Sequence, residues 1–131
     1  MDSNKLVIDS FKLVVKEKEK FIHYFYDHLF ELAPETKHLF SNVSKVQQGE
    51  KLYKSLVILV ENINSPENLV QILKPLGDRH VEYGSQIRHY PVVGQCLIDS
   101  FKYCLGSENW SNEIEEAWTE TYQKVVMLMV N

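Results

Sequence analysis

His80 stands in the run Leu76-Gly77-Asp78-Arg79-His80-Val81-Glu82-Tyr83-Gly84, and the segment His89-Tyr90-Pro91-Val92-Val93-Gly94 follows within a few residues. An imidazole one helical turn before a helix-ending glycine, among apolar core-side residues, can present a neutral nitrogen to a metal such as iron. The other ring nitrogen must then donate to a neighbour, which fixes the tautomer. A histidine on an apolar face is otherwise most simply a satisfied core group. His23, His28, His38 and His89 fall on polar faces or at a helix boundary, and His28 and His38 are expected to be exposed to solvent.

The chain that must position His80 has 131 residues, 44% of them hydrophobic and 24% charged, which suits one compact domain spanning 1–131. A net charge of -4 and a pI near 5.7 provide no basic stripe for a phosphate backbone, so nucleic acid is not an expected partner. The longest apolar runs, such as Ser55 to Val60, fall far short of the roughly 20 residues that a bilayer crossing needs, and the N-terminus is too polar for a signal peptide. A soluble, cytoplasmic protein without a membrane partner is expected. Cys96 and Cys104 are separated by about 12 Å along one expected helix, beyond the roughly 7 Å limit between bridged Cα atoms, and read as core thiols.

The hydrophobic periodicity is helical almost throughout. Asp2 and Ser3 can cap a first helix running to about Lys16, and the charged run Lys16 to Lys20 joins it to a second helix with Ile22, Tyr26, Leu29 and Phe30 on one stripe. Pro34 opens a short helix that ends near Leu39-Phe40, and a polar loop from Ser41 to about Lys45 follows. Gln48, Leu52, Leu56, Leu59, Val60 and Ile63 then mark one face of a strongly amphipathic helix. Ser65-Pro66-Glu67 starts the next, which Pro75 is expected to break, leaving Leu76 to Tyr83 as a separate short helix closed by Gly84. Pro91 opens a helix aligned on Val93, Leu97, Phe101 and Leu105 and ending at Gly106. Ser111 caps the last, with Ile114, Ala117, Trp118, Thr121, Tyr122, Val125 and Met129 on one side; Trp110 and Trp118 read as packing residues.

Six ordered segments carry a family likeness: Phe25 to Phe30, Pro34-Glu35 leading to Leu39-Phe40, Gln48 four before Leu52, Leu76 to Gly84, His89 to Gly94, and Ala117-Trp118 with Tyr122. In these the chain resembles the bacterial single-domain globins related to flavohaemoglobins and to the thermostable globins of methane-oxidising bacteria. The resemblance implies an all-α globin fold, about seven helices in a three-over-three sandwich around a pocket for haem b, iron protoporphyrin IX. It implies His80 as proximal iron ligand, Phe40 packed on the porphyrin, and Leu52 in the distal wall. Tyr26 and Gln48 match the distal polar pair, and Tyr90 the tyrosine that supports the proximal histidine. Leu56, Val93 and Leu97 become haem contacts in that fold. Gln47 lies about 100° round the helix from Gln48, which shares a face with Leu52. Those relatives also carry a glutamate late in the last helix that bonds the proximal histidine, and no such residue stands in Met127 to Asn131.

The function expected from this likeness is reversible binding of dioxygen, with nitric oxide and carbon monoxide as further ligands, and no catalytic residue is assigned. Nitric oxide dioxygenation or nitrite reduction is the enzymatic alternative. Either requires electrons, and Gly49, Gly77, Gly84, Gly94 and Gly106 form no dinucleotide-binding loop, so an external reductase would be the partner. A gas sensor, which would pass its signal to an output domain, is a third reading.

Overall fold

The computed structural model describes residues 2–40, 44–82 and 89–130, and the side chains of Leu39, Phe40, Lys45, His80, Val81, Glu82 and Val130 lie outside that description. Six α-helices and one 3-10 segment are present among the described residues: α1 (Ser3–Val15), α2 (Lys18–Leu32), the 3-10 segment (Pro34–Phe40), α3 (Lys45–Glu61), α4 (Pro66–Glu82), α5 (His89–Asn109) and α6 (Asn112–Val130). Their starts follow local chemistry. The Asp2 carboxylate accepts from Asn4 N–H at 3.0 Å, the Ser111 hydroxyl accepts from Ile114 N–H at 3.2 Å, and Ser44 caps α3.

Helices α1, α3 and α4 form one layer over α2, α5 and α6, with α1 and α4 packed on α6 and α2 packed on α5. An aromatic stack ties the layers together. Phe21 lies parallel to Phe101 at 5.3 Å between centroids, Phe101 meets Trp118 at 4.3 Å, and Trp118 meets Phe11 at 6.3 Å. The Trp118 indole donates to the buried Ser10 hydroxyl at 2.8 Å, and that hydroxyl donates in turn to Leu6 C=O at 2.7 Å, so the polar end of this large side chain is satisfied inside the core.

Gly77 shows why α4 and α6 pack so closely. A Cβ there would collide with the backbone carbonyl of Met129, so only glycine permits the two helices to approach at this point. Gly94 plays the same part between α5 and α6, where a Cβ would meet the Tyr122 ring 2.6 Å away. That ring is then in place for its hydroxyl to donate to Tyr90 C=O at 2.6 Å.

Two expectations are corrected. Pro75 does not end a helix: α4 runs unbroken from Pro66 to Glu82. Both Pro75 and Gln71, whose carbonyl loses its helical donor, are exposed, so water can satisfy the group and the interruption is tolerated. The proposed closure at Gly84 lies outside the described residues. His28 is only one-fifth exposed, because α5 brings Asp99 against it with 2.8 Å between Nε2 and the carboxylate, and Gln95 donates to the same carboxylate at 2.8 Å. His38 is exposed, as expected. The regular run of α5 stops at Gly106, where φ is +72°, a value that favours glycine.

Gly77→Ala should lower unfolding free energy by about 1–3 kcal/mol in urea titrations, because it forces α4 off α6. Burial pushes the Cys96 thiol from 9.0 up to about 12, so a proton kept in the folded state is lost by the unfolded chain above pH 9. Stability that is complete below pH 9 should therefore decline between pH 9 and 12. Cys96→Ala should flatten that decline, removing about 1 kcal/mol of the loss between pH 9 and 10.

Candidate functional site

Tyr26, on the buried side of α2, and Gln48, in the first turn of α3, are 22 residues apart in sequence yet meet in space: the tyrosine hydroxyl donates to Gln48 C=O at 3.2 Å. Ser44 determines where that turn begins, accepting from Gln47 N–H at 3.4 Å and so setting the phase in which Gln48 shares a face with Leu52 and Leu56. Tyr26 is 6% exposed. Burial drives its hydroxyl well above the ordinary tyrosine range, and a hydrogen bond from Gln48 draws it only partly back, so it keeps its proton at every physiological pH.

Helices α3 and α4 meet where Leu59 packs with Leu69 and Leu73, in a small cluster completed by Met129 and flanked by Leu76 and Tyr90. Away from that junction α3 leans on α1 and α2 while α4 follows α6, and the two helices do not pack closely on each other. Gln48 lies about 16 Å along α3 from Leu59, and His80 about 10 Å along α4 from Leu73, given a rise of 1.5 Å per residue. Thus both stand well away from that junction. His80 falls in the register of Leu73, Leu76 and Gly77; its side chain, like that of Phe40, lies outside the described residues.

The apolar residues that the resemblance assigns to haem contact divide by cover. Leu56 and Leu97 are buried in the main core, whereas Leu52 and Val93 pack against it and are only half-buried. Tyr90 is half-buried beside Leu76 in the smaller cluster, its carbonyl held by Tyr122. Two apolar clusters, one buried donor pair and one histidine in register with Leu73, Leu76 and Gly77 are a combination suited to a flat apolar group carrying a metal. Sequence reasoning missed the two glycines that set the helix spacing and the Tyr122 contact, because each becomes visible only when the partner helix is in place.

A globin profile matches residues 23–129. The chain belongs to the globin family. It is 34% identical over 104 residues to the flavohemoprotein of Rhizobium meliloti (strain 1021), and 31% identical over 100 residues to that of Bacillus subtilis (strain 168). Those alignments cover 77% and 75% of this chain but 25% of each relative, so this globin spans about a quarter of their length. Among solved structures it superposes on a bacterial globin of Campylobacter jejuni with a TM-score of 0.82 and 25% identity, covering 98% of this chain and 91% of the other. It likewise matches an engineered carbene transferase from Rhodothermus marinus, described as a candidate nitric oxide dioxygenase, with a TM-score of 0.84 and 29% identity over 97% and 87% of the two chains. Membership of the globins and the flavohemoprotein likeness imply haem binding. No described helix is long and apolar enough to cross a membrane, and Cys96 and Cys104 are free.

Proposed function

We propose that this globin holds haem b through His80 and reversibly binds dioxygen and other diatomic gases beside Tyr26 and Gln48. The observation that carries the reading is the meeting of the Tyr26 hydroxyl with Gln48 at 3.2 Å, next to the apolar faces of Leu52 and Leu56. Ferrous haem, when bound, would supply an iron with affinity for diatomic gases. The chain's own residues do the rest. Leu52 lines the distal wall, Leu56, Val93 and Leu97 give the haem apolar contacts that exclude water, Phe40 packs on the ring, and Tyr90 supports His80.

Tyr26 is suited to donate because burial favours its neutral form. Rotation about its Cζ–Oη bond redirects the proton from the Gln48 carbonyl toward a ligand, and the Gln48 amide adds a second donor. Each hydrogen bond to a partly charged acceptor in a dry site is worth about 1.5–3 kcal/mol, or roughly a ten- to hundredfold slower release.

A second reading, dioxygenation of nitric oxide with an external reductase, draws on the flavohemoprotein relatives and the Rhodothermus marinus structure. Sustained nitric oxide consumption with a supplied reductase would favour it; arrest after one equivalent would favour binding alone.

Supplied with hemin, the protein should develop an intense Soret band, and His80→Ala should weaken hemin retention by at least about tenfold. Tyr26→Phe should accelerate dioxygen release several-fold in stopped-flow measurements. A rate equal to that of the unaltered protein would remove Tyr26 from the donor role.

A further inference from the structure

A cleft of about 160 Å³ opens between α2 and the start of α3. Ile22, Tyr26 and Val46 form its apolar lining, and Glu19, Asp27 and Glu50 stand around it with His23. At its mouth Val46 is 74% exposed, whereas its Tyr26 wall is 6% exposed. The cleft therefore runs from solvent to the residue whose hydroxyl meets Gln48. Just beyond, Gly49 lets Ile22 come so near that a Cβ would lie 2.5 Å from Ile22 Cγ2, and α2 and α3 close against each other. The volume exceeds the roughly 10–15 Å³ that one water molecule needs on the same measure, enough for a diatomic gas to enter.

The charges around this cleft are unbalanced. Three carboxylates, Glu19, Asp27 and Glu50, stand there with no lysine among the described lining residues; nearby Lys18 bonds Glu50 at 2.9 Å and also attracts Glu19, and Asp27 lies 3.2 Å from His23. A mouth with an excess of one sign of charge repels ions of that sign and leaves neutral molecules unaffected.

We propose that this cleft is the portal through which ligands reach the Tyr26–Gln48 pair, and that its carboxylates favour uncharged diatomic gases over small anions. The inference rests on haem being held by His80. A portal is a barrier on the path and not a contact with the bound ligand, so narrowing it changes both rates and leaves the equilibrium alone. Val46, at the exposed mouth, can take a larger side chain without entering the core.

Val46→Trp in the hemin-loaded, reduced protein should slow carbon monoxide association and dissociation by the same factor. Its affinity and the infrared C–O stretch, which reports the donors beside the ligand, should stay as they were. Unchanged rates, or a change in affinity, would overturn the portal. Glu19→Gln with Asp27→Asn should raise azide association with the ferric protein about threefold at low salt, the scale expected for removing two charges several ångströms from the path, and leave carbon monoxide association unchanged. Added salt should speed azide entry in the original protein more than in that variant. No change with azide, or the same change with both ligands, would overturn the charge preference. Absence of a Soret band in the original protein would defeat the haem reading and this inference with it, whereas a normal Soret band with unaltered Val46→Trp rates would defeat the portal alone.

Discussion

The contact between α4 and α6 at Gly77 governs what the rest of this molecule can do. Because a side chain there would strike the Met129 carbonyl, the helix that carries His80 lies as close to α6 as two backbones allow. It meets α3 at the junction of Leu59 with Leu69 and Leu73. Interiors packed to crystal-like density cannot move a helix gradually, so its spacing is a fixed property of the fold.

The donor pair depends on that frame through different contacts. Tyr26 is fixed by α2, whose neighbours Phe21 and Phe25 lie in the aromatic core at 6.3 Å from each other, and Phe25 meets the Tyr26 ring at 5.0 Å. Gln48 is fixed by the Ser44 cap and by the approach of Gly49 to Ile22. A buried, neutral hydroxyl beside a helix start is held by packing on one side and by helix phase on the other. Its high pKa follows from the same burial that excludes water from the site.

Two differences between sequence and structure have a common origin. His28 reads as a solvent-facing residue because periodicity on α2 ranks positions by polarity, yet the polar face is covered by polar groups of α5, Asp99 and Gln95. Pro75 reads as a break because a local rule counts the lost hydrogen bond, yet exposure of Gln71 and Pro75 lets water replace it. In each case the local rule is sound and the neighbouring surface decides its cost. The Asp2, Ser44 and Ser111 caps needed no such correction, since a cap is satisfied within a few residues of its own chain.

The helical class, the apolar stripes of α2, α3, α5 and α6, the caps, the stop at Gly106 and the two unbridged thiols were legible in the amino-acid order alone. These follow from local propensities and spacings that hold wherever the segment lies. Resemblance added Tyr26, Gln48 and His80 as one group. Packing of the helices revealed that Tyr26 and Gln48 meet, that Gly77 and Gly94 are spacing devices, that Tyr122 holds the Tyr90 carbonyl and that a cleft leads from Val46 to Tyr26. Each of these is a contact between helices distant in sequence, and its geometry exists only after the layers have packed.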